Sequence, residues 1–124
     1  MSLACRARTD RGTAPAGPSG KVIPQNAAPM AIEAADLMRW KACRLYDAGE
    51  PCGAEANMAK YLASEASWQA ANAALDTHGG FGFAEEYDIE RKFRETRLYQ
   101  VAPISNTLIQ AYVGHHVLGM PRSY

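Results

Sequence analysis

Several things are scarce in this 124-residue chain, and each scarcity excludes something. There is no excess charge: thirteen basic and thirteen acidic residues leave it formally neutral. That argues against nucleic acid or an anionic membrane surface as its main partner. Cysteine is rare, and Cys5, Cys43 and Cys52 are odd in number with no CxxC spacing. The pattern fits a reduced, cytoplasmic chain, with a Cys43–Cys52 disulfide or a shared metal as the alternative. Residues 98–121 contain no Lys, Arg, Asp or Glu. Gln100, Pro103, Ser105, Asn106, Thr107, Gln110, His115 and His116 interrupt that stretch too often for a membrane span, which takes about 20 apolar residues. A helix covered on several sides by protein is expected instead. Adjacent helical residues point about 100° apart, so His115 and His116 do not share an ion easily and no metal site is expected. No run reads as a strand, no repeat is visible, and no Ser-His-Asp spacing or Walker-type loop appears.

The length suits one domain with a modest core. Residues 1–25 are rich in Gly, Pro, Ser, Thr and Arg and lack helical periodicity. Such a composition cannot offset the cost of ordering the chain, so a disordered or loose arm is expected there. It also lacks the apolar stretch of a signal peptide. Residues 26–124 are expected to form the folded domain.

Periodicity predicts four helices. The first spans about residues 29–48, with Pro29 in its first turn and Gly49-Glu50-Pro51 as its stop. Its inward stripe is Ala31, Ala34, Ala35, Met38, Ala42, Leu45 and Tyr46, while Trp40 falls on the polar side. The second spans about residues 54–77 and ends at Gly79. Ala59, Leu62, Ala66, Ala70 and Ala73 give it a broad small-residue face, and Tyr61, Ser64 and Trp68 belong to a second stripe. A helix with two occupied faces is central in a bundle or lies between subunits. A short helix follows over about residues 88–99, with Asp88 as N-cap. The last covers about residues 103–118 and has almost no solvent-seeking face. The reading is an all-α, up-and-down bundle of three long helices and one short. It exposes enough apolar surface to require association.

The most informative segment is HGGFGFAEEYDIERKFRETR, residues 78–97. Three glycines in four positions, Gly79, Gly80 and Gly82, end a helix and permit close approach by another backbone or a ligand. An acidic, aromatic loop follows, and then a basic helix with Arg94-Glu95-Thr96-Arg97. This order, together with Tyr87, resembles the C-terminal helical domain of the acyl-CoA dehydrogenase family. That family's pattern runs Q-x-x-G-G-x-G-[YF]-x-x-E-[YF], then R-D-x-R, then E-G-T. The resemblance covers most of the chain from about Ile32.

The resemblance implies a flavoprotein that oxidises the Cα–Cβ bond of an acyl-CoA using FAD. It also implies that this domain serves subunit association and part of a neighbouring subunit's FAD site, on the adenosine diphosphate side. The cofactor-binding candidates it assigns are Asp76, His78, Gly79, Gly80, Gly82 and Ser105. Asp76 stands at the family's glutamine, and a carboxylate accepts hydrogen bonds without donating them. Ser105 keeps the hydroxyl of the family's threonine. Pro103 falls where many members carry the glutamate base, so no catalytic residue is assigned to this chain. The implied partners are a second copy or a chain bearing the family's other domains, with acyl-CoA bound only by the full assembly. The alternative is a stand-alone, non-catalytic helical interaction module that has lost flavin.

Overall fold

Residues 22–122 are described in the computed structural model of the chain. Helix α1 spans Val22–Asp47, α2 Gly53–His78, α3 Ile89–Val101 and α4 Asn106–His116. Two 3-10 turns, Gly79–Phe83 and Glu85–Tyr87, lie between α2 and α3. The described residues are helical with no strand, as the all-α reading expects.

Helix α1 is rich in strong helix formers and begins at Val22, before the expected start at Pro29. Residues 22–25, assigned by composition to the loose arm, are therefore helical; the rest of that arm lies outside the described residues. Pro29 sits inside α1 instead of its first turn. A proline costs a helix interior about 3 kcal/mol. Ala28 and Ala35 are buried on either side of it, so packing carries the helix across where propensity would stop it. At the other end, Gly49 has a positive φ, its N–H bonds the Tyr46 carbonyl, and Glu50 N–H bonds the Leu45 carbonyl. That pair of bonds is a Schellman stop, and Pro51 seals it.

The short connection makes α1 and α2 antiparallel neighbours, and they form the most extensive helix pair. Ala28, Ala35 and Ala42 on α1, and Ala59 and Ala66 on α2, are buried and recur every seventh residue. Two helical turns return a side chain to the same face, so each set makes one stripe of small residues. Lys41 and Glu55 tie the pair at 3.0 Å near the connection. Helices α3 and α4 both pack on α2, which is the central element.

The large apolar side chains are distributed differently from the expected stripes. Tyr46, expected inward, is 75% exposed, and Leu37, Met30 and Trp40 also face outward. Ile109 in α4 is the largest side chain that is almost completely buried, while Leu98, Val101, Leu108 and Leu118 remain exposed. Small residues line the seams and large ones lie outside. The apolar surface that the sequence promised to a partner is therefore present.

Candidate functional site

The site is built at the C-terminal end of α2. Gly79 terminates the helix with φ 57° and donates its N–H to the Leu75 carbonyl. A side chain at that angle is strained, so glycine is required by the turn itself. Gly82 is buried, and a Cβ there would lie 2.9 Å from Leu75 Cδ1 and 3.1 Å from the Leu75 carbonyl oxygen. Gly82 thus serves tight packing of the turn onto α2. Gly80 differs from both: its φ is ordinary and nothing lies within 4 Å of where its Cβ would be. Its neighbours Phe81 and Phe83 are exposed, as is Tyr87, whose ring stands 5.8 Å from that of Phe81.

Asp76 is exposed on the last turn of α2 and has no hydrogen-bond or ion-pair partner among the described residues. His78 is half-buried, with Nδ1 2.9 Å from the Ala74 carbonyl. Nδ1–H donates there, which leaves Nε2 of the neutral ring as an acceptor. The histidine satisfies its own helix end, the structural role expected of a C-terminal histidine.

Basic side chains of α3 face partners on every side. Arg91 bonds Asp88 at 3.1 Å and Glu95 at 2.7 Å, Lys92 bonds Glu95 at 3.2 Å, and Arg94 forks onto Glu90. This is the salt-bridged, solvated helix that the charge spacing predicts. The Arg91 hydrogen bond and charge hold the Asp88 carboxyl below the usual carboxylate range, and Lys92 with Arg91 do the same to Glu95. Asp88 occupies the N-cap position of α3 with a left-handed φ of 56°, yet its side chain does not cap the helix. Arg91 takes that carboxylate instead. Arg97 leaves the ladder, hydrogen-bonding Gln100 and lying over the Trp68 ring of α2.

The second part of the site is the turn between α3 and α4. Helix α4 starts at Asn106, three residues after the expected Pro103, because Ser105 is its N-cap. Ser105 Oγ accepts from Leu108 N–H at 3.3 Å. Capping uses a lone pair and leaves the hydroxyl proton free to donate. Pro103 is exposed and follows a cis Ala102–Pro103 bond. The glycine turn gathers Asp76, His78, Gly79, Gly80 and Gly82 in one place. Ser105 sits on the other turn, where its side chain caps α4.

Sequence reasoning missed a polar cluster at the junction of α2, α3 and α4. Glu65 Oε1 accepts from Gln100 Nε2 and from Asn106 Nδ2, each at 2.8 Å. Asn106 Oδ1 accepts from Lys60 Nζ at 2.9 Å and lies 3.0 Å from Ser64 Oγ. Ser64 and Gln100 are buried. Burial lowers the Lys60 ammonium from its ordinary value, and the Glu65 charge partly offsets this. The signal lay in the isolated amides Gln100 and Asn106, polar interruptions of an uncharged stretch that needed buried partners.

Cys43 and Cys52 are free thiols. No group of three metal-ligating side chains occurs among the described residues, and none of their helices is long and apolar enough to cross a membrane.

Comparison with known proteins places this all-helical chain in a family. The description "Acyl-CoA dehydrogenase, C-terminal domain" matches residues 5–103. The chain belongs to the acyl-CoA dehydrogenase family. It is 44% identical over 95 residues to acyl-CoA dehydrogenase FadE12 of Mycobacterium tuberculosis, covering 75% of this chain and 24% of that protein. It is 36% identical over 87 residues to 3-(aryl)acrylate reductase of Clostridium sporogenes, 70% of this chain and 23% of that one. Against the short-chain specific mitochondrial acyl-CoA dehydrogenase of Bos taurus the identity is 34% over 94 residues, 76% and 23% of the two chains. The chain therefore spans about a quarter of the length of these relatives.

Proposed function

We propose that this chain is the C-terminal helical domain of an acyl-CoA dehydrogenase-like flavoprotein, supplying a subunit-association surface and one edge of an FAD site. The observation that carries the reading is Gly80. Among the described residues nothing lies within 4 Å of where its Cβ would be, so the backbone there is open to close approach by a ligand or a partner.

The glycine turn fits one end of FAD better than the other. Phosphate-binding turns usually precede a helix, whose N-terminal end attracts an anion. This turn follows α2, at the negative end of the helix dipole, and every basic side chain of α3 already has a partner. Asp76 adds another negative charge. The local groups thus suit an adenosine portion: backbone at Gly79 and Gly80 allows close approach, and Asp76 accepts from a ribose hydroxyl. Ser105 offers its free hydroxyl proton from the α3–α4 turn.

When bound, FAD supplies the hydride acceptor for oxidation between Cα and Cβ of an acyl thioester. This chain contributes binding and orientation to that reaction. Pro103 has no group that takes a proton, and no Asp or Glu follows Glu95, so removal of the α-proton falls to a residue of another domain or chain. The exposed apolar residues of α1, α3 and α4 then form the surface that a second copy, or the family's other domains, covers. The free thiols Cys43 and Cys52 agree with a reducing, cytoplasmic setting.

Asp76 and Pro103 favour a second reading, a helical interaction module without flavin chemistry. Absorption in the flavin visible band by the purified chain, or saturable binding of added FAD, supports the first. A folded, colourless chain that also fails to bind FAD leaves the second.

A further inference from the structure

We propose that Glu65 is a positioning residue that fixes the α3–α4 turn, and with it the Ser105 hydroxyl, from the central helix. The bracing stands on geometry alone; its consequence for ligand binding rests on the flavin reading above.

The turn lacks the usual means of holding its shape. Pro103 is exposed, Ile104 is 43% exposed, and among the described residues the only side-chain hydrogen bond made within it is the Ser105 cap. What holds it lies at its two ends. Gln100 stands just before the turn and Asn106 just after it. Both amides donate to the same oxygen, Glu65 Oε1, at 2.8 Å each. One carboxylate oxygen on α2 therefore brackets the turn. The remaining polar atoms of the two amides are used as well. Arg97 donates to Gln100 Oε1, and Lys60 donates to Asn106 Oδ1 at 2.9 Å, so the two cations compensate the Glu65 charge through the amides. Gln100 is buried, which keeps water from competing for these bonds. The second oxygen of Glu65 has no hydrogen-bond partner among the described residues. Glutamine at this position keeps the bracketing oxygen as an acceptor, replaces the free one by an amide nitrogen and removes the charge.

Helix α4 starts at Asn106, so the same bonds set where the cap forms and where the Ser105 O–H points. Side-chain hydrogen bonds to a charged group are among the stronger ones, and their loss at a sheltered site leaves unpaired amides.

Hydrogen exchange and FAD titration of the whole chain, as wild type, Glu65→Ala and Glu65→Gln, test the proposal. The amides of Leu108 and Ile109 bond Ser105 Oγ and the Ser105 carbonyl, and so report on the cap. Glu65→Ala is expected to speed their exchange about tenfold relative to the Glu50 amide at the α1 stop, and to weaken FAD binding about tenfold. Glu65→Gln, which keeps the acceptor but not the charge, should restore most of both. Ser105→Ala should weaken FAD binding while leaving Gln100 in place, and adding it to Glu65→Ala should cost little more. If Glu65→Ala fails to fold, Asn106→Asp gives the second variant. It keeps the acceptor for Lys60 and sets a carboxylate against Glu65, with the same selective exchange expected. Equal acceleration of all amides, or no rescue by glutamine, overturns the proposal. Selective exchange in a chain that binds no FAD upholds the bracing and overturns the flavin reading.

Discussion

Helix α2 is packed by two different chemistries along its length. Toward α1 the seam is alanine, with Ala28, Ala35 and Ala42 facing the side of α2 that carries Ala59 and Ala66. Toward α3 and α4 the junction is Lys60, Ser64, Glu65, Gln100 and Asn106, with Ile109 as the buried apolar anchor. Small residues let two backbones approach closely but bury little area, so the seam is tight and only moderately stabilising. A polar junction contributes less per group, yet it permits one arrangement in which every amide is satisfied. The first region gives the domain its shape, and the second fixes where one turn sits.

The largest effects should come from the buried apolar positions on either side of that contrast. Ile109→Ala removes the anchor of α4 and is expected to cost about 2–5 kcal/mol, read by urea denaturation. Ala66→Leu forces a large side chain into the alanine seam, at about 1–3 kcal/mol. If Ala66→Leu is tolerated without loss, the seam is not close-packed and the contrast fails.

The glycines sharpen the contrast between packing and binding. Gly82→Ala drives a Cβ into Leu75, so a loss of about 1–3 kcal/mol is expected. Gly80→Ala meets nothing in its own chain and should leave the melting temperature essentially unchanged. The same variant should weaken association with FAD or with a partner. Unaltered binding in a stable Gly80→Ala chain would contradict the role given to that residue.

Acid gives the smallest expected effect. The hydrogen bond from Lys41 lowers the Glu55 carboxyl, and Arg91 and Lys92 lower Asp88 and Glu95. A depressed folded-state value means stability that is complete above the ordinary carboxylate value of about 4. It is lost as the pH falls through the lower folded values. Circular dichroism should therefore show α3 weakening only below about pH 4, and Glu95→Gln should flatten that loss. Because these pairs are on the surface, high salt should reduce the effect as well.

Much of the fold was legible because long helices leave periodic traces. The stops at Gly49 and Gly79 and the apolar character of α4 are all where glycine placement and charge counting put them. The misplacements have separate physical causes. Pro29 reads as a first-turn residue by local rule, but buried alanines on both sides carry α1 through it. Pro103 reads as a helix start, but Ser105 offers the better cap. Tyr46 shares the helical phase of the buried stripe and still faces outward at the helix end. In the site, Gly82 and Gly80 look alike in sequence, yet only Gly82 packs against a neighbour, Leu75, and that contact forms only once the turn folds back onto α2. The isolated amides Gln100 and Asn106 hinted at buried partners, but those partners lie about 35–46 residues away and meet them only once three helices are packed.

Most else depends on the proposal that a second copy covers the exposed apolar side chains of α1, α3 and α4. Sedimentation velocity of the purified chain at micromolar concentration tests it directly. The account predicts a species well above the 13.5 kDa of a single chain. A well-folded monomer at that concentration would contradict it.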